Sequence, residues 1–175
     1  MNRIVTVLLL VFSAWLSAGA FARPADHADL FNGAEINWRD ARSGIYEATQ
    51  TGKPVIMVFH ATWCSACKKY RAVFSDAAIV AAAKDFVMIL VDADKDKEIN
   101  GAFSPDGSYV PRTLFVDTAG DVSTSLVGKD PSYRYSIDVG QPDELLALML
   151  KAKKDGFGPA GRPAGDAPAE LGKGT

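Results

Sequence analysis

The chain is poor in the residues that build disulfide scaffolds and metal cages. Its 175 residues include only two cysteines, Cys64 and Cys67, and two histidines, His27 and His60. Small exported domains that depend on disulfides normally carry several cysteine pairs, and a bridge across two intervening residues would stabilise a fold little. A closed zinc site needs about four ligands. We therefore expect neither a structural disulfide nor a bound metal, and no other cofactor.

Neither sign of charge is in excess. The chain has 19 Lys and Arg residues against 21 Asp and Glu residues, which gives a formal net charge of −2 at pH 7. The cations are scattered along the chain, so they do not form the concentrated positive surface that binds nucleic acids and anionic membranes. We expect no nucleic-acid partner, and most charged residues are predicted to lie on a solvated surface.

A long hydrophobic run is also missing, although the chain has a short one near its start. Arg3 precedes an apolar stretch at residues 4–16, and small residues lead to Ala20-Phe21-Ala22. This pattern is typical of a secretory signal peptide, whereas a membrane span needs roughly 20 apolar residues. We predict a signal peptide at residues 1–22, cleaved after Ala22, with an uncleaved anchor as the alternative. The Ala-rich signal favours the bacterial periplasm, with secretion or the endoplasmic-reticulum lumen as alternatives, and no stable membrane span is expected after cleavage.

The rest of the chain is long enough for one domain with its own core. Residues 23–37 are a lead-in with little periodicity, and residues 38–155 alternate helical and strand patterns. Residues 156–175 are mostly Gly, Pro and Ala, and such a segment buries too little apolar surface to offset the entropy of ordering. We predict a disordered tail after a single domain, and a monomer.

The order of the predicted elements indicates the fold class. An unbroken apolar run at 55–60 is typical of a strand buried on both faces, and residues 85–94 predict a second buried strand. Buried strands separated by a helix imply parallel pairing, and a later hairpin would add antiparallel strands, so we predict an α/β fold with three layers around a mixed sheet. The other predicted elements are a helix at 38–51, a helical stretch from Ser65 that breaks at Ser75-Asp76, a loop at 94–109 with one turn at 95–100, a hairpin of strands 112–117 and 122–128, and a last helix opened by Gln141-Pro142.

The two cysteines directly follow the first buried run. Cys64 falls between a strand end and a helix start, where unpaired backbone N–H groups and the helix dipole favour thiolate over thiol. Cys67 lies three residues on, on the same helical face, and can reach Cys64 to close a disulfide. The pair therefore suits thiol–disulfide exchange, with one exposed nucleophile and one sheltered resolving thiol.

Other interpretations of the cysteine spacing are open. Haem attachment would need a histidine after the second cysteine, and Lys68 is there instead. Metal delivery through Cys64, Cys67 and His60 is an alternative, although the ligand count disfavours it. Trp63 either offers a flat contact to peptides or simply packs. The next acidic segment lacks the spacing of a calcium loop and predicts a solvated loop: Asp92, Asp94, Asp96 and Glu98.

Longer stretches of the sequence carry a family resemblance. WCSACK after a buried strand, with Val110-Pro111 before the next strand, resembles the thioredoxin fold. HATWCSACK, FSPDGSYVPRTLFVDTAG and DPSYRYSIDV resemble the branch of that family that contains thioredoxin domain-containing protein 12 and the anterior-gradient proteins. This resemblance implies that Cys64 is the nucleophile, that Cys67 is the resolving thiol and that Pro111 is a cis proline facing them. With it we assign substrate binding to Trp63, Val110 and Pro111.

Two positions depart from the thioredoxin pattern. Thioredoxin and protein disulfide isomerase carry a buried acid six residues before the first cysteine, where it handles a proton for the resolving thiol, and this chain has Val58 there. His60 stands where thioredoxin has tryptophan. This histidine either tunes the Cys64 thiolate or is a satisfied histidine at a strand end, and we favour the second interpretation.

These features predict an exported thiol–disulfide oxidoreductase. Its expected partners are protein thiol or disulfide substrates and a separate protein that recycles it. The alternative from another class is a redox-inert peptide-binding or chaperone-like module that uses a groove around Trp63, Tyr109 and Pro111. Paired thiols at a helix start favour the oxidoreductase, because a chaperone does not need them.

Overall fold

The computed structural model describes residues 23–155 and Phe157. The predicted signal peptide and nearly all of the predicted disordered tail lie outside the described residues. Within the described part of the chain, no helix is long and apolar enough to cross a bilayer.

A four-stranded mixed sheet forms the centre of the domain. Its strands are β1 (Trp38–Arg39), β2 (Val55–His60), β3 (Val87–Asp92) and β4 (Arg112–Val116), in the spatial order β1-β3-β2-β4. β1 and β2 are parallel to β3, and β4 is antiparallel to β2. Every residue of β2, β3 and β4 is buried, as the unbroken apolar runs predict for strands covered on both faces. The predicted mixed sheet is confirmed.

Helices cover both faces of this sheet. The helices are α1 (Ala41–Thr51), α2 (Ser65–Tyr70), α3 (Ala77–Ala83), α4 (Lys97–Ala102) and α5 (Asp143–Lys154), with 3-10 turns at Ala28–Phe31 and Arg71–Ser75. Alternate strand residues pack with α1 on one face and with α3 and α5 on the other, which makes two separate apolar cores. The predicted three-layer fold is confirmed. The predicted break after Ser75 is also confirmed, since the Asp76 side chain caps α3 by accepting from the N–H groups of Ala78 and Ile79.

The lead-in is part of the packed domain. Phe31 and Ile36 are buried in the core, and the N–H of Ala25 donates to the carbonyl of Trp38 at 3.2 Å. The Trp38 indole N–H in turn donates to the Phe31 carbonyl at 2.7 Å. These contacts place residues 25–36 against the end of the sheet.

Trp38 does not begin a helix as its spacing predicts. It pairs with Met88 in the short strand β1, and α1 begins three residues later because the Asp40 carboxylate accepts from the N–H of Ser43. The helical spacing at 38–51 is therefore correct only from Ala41. The cap at Asp40 ends the extended segment and starts the helix.

The predicted hairpin is also wrong in its second half. β4 forms as predicted, but of residues 122–128 only Val122 makes a bridge, to Val116. The Ser123 hydroxyl accepts from the N–H groups of Ser125 and Leu126, at 3.3 and 3.0 Å. Such a local side-chain turn competes with a strand ladder, so the chain turns away from β4 at this point.

Gly44 tests how closely α1 packs on the sheet. A Cβ at Gly44 would overlap the buried Ile89 side chain, whereas a Cβ at Gly101 in α4 would meet nothing within 4 Å. Gly101→Ala should raise the free energy of unfolding by roughly 0.5–1 kcal/mol, since alanine is the better helix former. Gly44→Ala should lower it by about 1–3 kcal/mol through overpacking. Urea denaturation measures both, and equal stabilisation of the two variants would contradict the close packing.

Candidate functional site

The two cysteines lie where β2 passes into α2, and they form a disulfide. Cys64 is the N-cap of α2, and its Sγ accepts from the N–H of Cys67 at 3.0 Å. Cys67 is fully buried, while Cys64 keeps 5% of its surface exposed. Cys64 is the more exposed of the two, as predicted, but it is much less exposed than the sequence suggests. The backbone N–H aimed at Sγ would stabilise a thiolate there once the disulfide is reduced.

The Val110–Pro111 segment faces this disulfide. The bond between these residues is cis, as predicted. The carbonyl oxygen of Val110 lies 3.6 Å from the Sγ of Cys64, and the Val110 side chain packs against the buried cysteine cluster. The structure therefore brings Val110 and Cys64 together from positions 46 residues apart.

A groove of about 670 Å³ begins beside the cysteine motif. Ala66, Val110 and Pro111 line its end near the disulfide, and Tyr109 and Tyr133 form an aromatic wall with ring centroids 4.9 Å apart. The groove also includes residues 136–139, which belong to the stretch DPSYRYSIDV. Two stretches that carry the family resemblance thus meet on one surface.

Trp63 is not among the residues that line this groove. Its side chain is 68% exposed, which rules out the interpretation that it simply packs. The indole N–H donates to the Asp94 carboxylate at 2.8 Å, so an acid from the loop after β3 holds the ring beside the cysteines. The groove therefore includes Tyr109 and Pro111 but not Trp63, and a role of Trp63 in substrate binding stays a prediction.

Arg112, the residue after the cis proline, has no exposed surface, and sequence analysis missed it. Its guanidinium donates to the carbonyls of Phe103, Tyr109 and Asn100 and lies 4.0 Å from the centroid of the Phe59 ring. Burial lowers the pKa of Arg112 to about 10, so the side chain is still charged at neutral pH. These hydrogen bonds hold residues 100–109 against β4. In the sequence, the only indication of this role is that Arg112 begins a predicted strand.

Val58 lies fully buried on the same sheet, where thioredoxins carry an acid. In β4 its register partner is Thr113, whose hydroxyl hydrogen-bonds with the Tyr70 hydroxyl at 2.9 Å. Burial raises the pKa of Tyr70 above its ordinary value, so this phenol stays neutral. It links α2, which carries Cys67, to β4, which follows Pro111.

His60 is not the satisfied strand-end histidine that we favoured. The residue is fully buried, and neither ring nitrogen has a hydrogen-bond partner. Its ring lies 5.4 Å from the His27 ring and 5.0 Å from the Phe31 ring, centroid to centroid. Burial lowers the pKa of His60 to about 4, against a smaller raising effect of the Asp92 carboxylate. A role of His60 in tuning the Cys64 thiolate stays a prediction.

Asp92 corrects the prediction of a wholly solvated acidic loop. Asp94 and Asp96 are exposed as expected, but Asp92 keeps only 4% exposure. It ends β3 directly beside His60 in the parallel register. His60 and Asp92, which lie far apart in the sequence, are therefore neighbours in the folded chain.

Comparison with known proteins gives three kinds of match. A family model described as thioredoxin-like matches residues 37–118. Anterior gradient protein 3 of Xenopus tropicalis is 32% identical over 124 residues, which are 69% of this chain and 73% of that protein. Two solved structures share the fold at low identity. They are a thioredoxin from Thermus thermophilus (TM-score 0.53, 21% identity, 70% of this chain and 90% of that one) and a disulphide isomerase from Xylella fastidiosa Temecula1 (TM-score 0.51, 20% identity, 77% and 99%).

Proposed function

Since the chain belongs to the anterior-gradient family of thioredoxin-like proteins, we propose that it is an exported thiol–disulfide oxidoreductase acting on protein substrates. The fold, the family and the Cys64–Cys67 disulfide together indicate the general activity. The observation that carries the proposal is the position of Cys64. Its sulfur caps α2, accepts the N–H of Cys67 and faces the Val110 carbonyl beside the groove.

The proposed reaction begins with the reduced pair. The Cys64 thiolate attacks one sulfur of a substrate disulfide, which forms a mixed disulfide and releases the other substrate sulfur as a thiolate. Cys67 then attacks the Sγ of Cys64, restores the Cys64–Cys67 disulfide and releases the second substrate thiol. Two electrons pass from the protein to the substrate. The same steps in reverse oxidise a substrate dithiol.

The two cysteines have different proposed roles because their surroundings differ. Cys67 is fully buried, so a bulky protein disulfide reaches Cys64 first, and Cys67 acts only on the mixed disulfide. Val58 cannot accept a proton from Cys67. We assign that task to the substrate thiolate released in the first step, which is basic enough to take it.

We assign the substrate segment to the groove of Tyr109, Val110 and Pro111. Val110 lines this groove, and its carbonyl oxygen lies 3.6 Å from the Cys64 sulfur. A groove with apolar and aromatic walls beside the reactive sulfur suits an extended peptide around a cystine. Trp63 precedes Cys64 and is exposed, so we assign it a second contact with the substrate. Export to an oxidising compartment, preferably a bacterial periplasm, rests on the signal-like pattern of residues 3–22.

Alkylation of the reduced protein tests the asymmetry between the two sulfurs. We expect Cys64 to react with iodoacetamide with an apparent pKa well below the ordinary thiol value of about 8.5, in the range of about 3.5–7.5 seen for cysteines at helix starts. Cys67 should react much more slowly because it is buried. Rates measured across pH by peptide mass spectrometry decide the matter. Equal, slow rates with ordinary ionisation at both cysteines would contradict the proposed roles.

A further inference from the structure

Three side chains outside the disulfide converge at the end of the sheet. His60 ends β2 and Asp92 ends β3, where they are register partners. His27 joins them from the lead-in. One ligand atom of each side chain lies within 4.8 Å of the others. From this convergence we infer that His27, His60 and Asp92 form a binding site for one divalent transition-metal ion of the zinc class.

The unpaired state of His60 is the second observation. Both of its ring nitrogens are buried without a hydrogen-bond partner, although buried polar groups are normally paired. The Nδ1 atom of His27 is buried as well and lies 3.3 Å from the Oδ2 of Asp92 without hydrogen-bond geometry. Buried ligand atoms that lie close together without hydrogen-bond partners are the arrangement that a metal ion would satisfy.

Asp92 is held in an orientation that suits a ligand. Its Oδ1 accepts from the N–H groups of Asp94 and Lys95, at 3.0 and 3.4 Å, which leaves Oδ2 directed at His27. Hydrogen bonds of this kind around a ligating carboxylate fix its direction and preserve its charge. The side chain of Lys95 is paired with Asp26 at 2.9 Å, so its charge is partly balanced beside the site.

The donor set selects the class of metal. Two imidazoles and one carboxylate are ligands typical of Zn²⁺ and related first-row ions, whereas Ca²⁺ and Mg²⁺ prefer oxygen ligands alone. A histidine ligates through the lone pair of a ring nitrogen, and both ring nitrogens of His60 are free of hydrogen bonds to other described residues. Three protein ligands leave a fourth position, and the His27 side chain, 26% exposed, marks its solvent side.

This site differs from metal delivery through Cys64, Cys67 and His60, and it revises the expectation of no metal. Neither cysteine belongs to the cluster, and both are already bonded to each other. The site is therefore complete in the oxidised protein. It stands independently of the proposed redox function, so either can fail without the other.

The test uses the untagged oxidised protein, so that neither a tag nor a free thiol can bind metal. Calorimetric titration with Zn²⁺ alone, and absorption spectra with Co²⁺ alone, should give one ion per chain. His27→Gln and Asp92→Asn should each raise the dissociation constant for Zn²⁺ by about 100-fold or more, since each removes one of three ligands. Asp96→Asn removes a nearby exposed charge but no ligand, so it should weaken binding far less than either ligand variant. Circular dichroism should confirm that every variant is folded.

Thermal unfolding gives an independent measurement. Saturating Zn²⁺ should raise the melting temperature of the wild type and of Asp96→Asn, and should leave that of His27→Gln unchanged, because an ion that binds only the folded state stabilises it. Absence of stoichiometric binding to the oxidised wild type would overturn the inference. Binding that persists in both His27→Gln and Asp92→Asn would overturn it as well, since the ion would then lie elsewhere.

Discussion

Replacing Cys64 by serine is expected to abolish disulfide exchange, with a fall in rate of roughly 1,000-fold or more. A serine hydroxyl in this place is hardly ionised at neutral pH and cannot attack a disulfide. Cys67 cannot take over the attack, because it is fully buried behind Cys64. Reduction of a model protein disulfide by the reduced variant measures the effect.

Cys67→Ser is the matched control for this experiment. It loses the same disulfide and has the same change of sulfur to oxygen, but it keeps the nucleophile at Cys64. We expect it to accumulate a mixed disulfide with the substrate, visible as a covalent adduct that reductant removes. If Cys64→Ser retained wild-type exchange, the protein would instead be a redox-inert binding module. If only Cys64→Ser formed the adduct, the two roles would be reversed.

Replacing Arg112 by leucine is expected to lower the free energy of unfolding by about 3–5 kcal/mol. Leucine has similar packing volume but leaves the partly buried carbonyls of Phe103, Tyr109 and Asn100 without their donor. Unpaired buried acceptors are costly even when the apolar packing survives. Chemical denaturation followed by circular dichroism gives the value.

Two further variants separate the causes of this effect. Arg42→Leu removes an exposed arginine on α1 and should change stability by less than about 0.5 kcal/mol. Arg112→Lys keeps the charge but lacks the planar fork, so it should recover only part of the loss. Full stability of Arg112→Leu would show that the 100–109 loop is held by other contacts. Full recovery by lysine would show that charge alone matters.

Local patterns were enough for much of the fold. The apolar runs at β2 and β3 predict buried strands because a strand covered on both faces has no polar side. Asp76 predicts the start of α3 because its carboxylate can cap only a helix that begins there. The cysteine spacing predicts a disulfide between Cys64 and Cys67 because one helical turn separates them. Each of these features depends on residues close together in the chain.

The errors fall where distant contacts decide the structure. Trp38 has helical spacing, yet pairing with Met88 and a hydrogen bond to Phe31 hold it in β1. Residues 122–128 alternate like a strand, yet the other edge of β4 is used by the Tyr135 carbonyl, which accepts from the N–H of Thr113 at 2.8 Å. The contacts that decide the conformation of each segment involve residues outside it, so the local pattern does not reveal them.

The sequence by itself determined the redox motif, the positions of the buried strands β2 and β3, and the family, because these depend on short spacings and on stretches that resemble known relatives. Only the tertiary structure decided which side chains share a site. The parallel register of β2 and β3 sets His60 beside Asp92, and the lead-in adds His27. The pairing of β2 with β4 brings Val110 to Cys64 across 46 residues. Such neighbours arise because the sheet aligns the ends of distant strands, and spacing along the chain carries no record of that alignment.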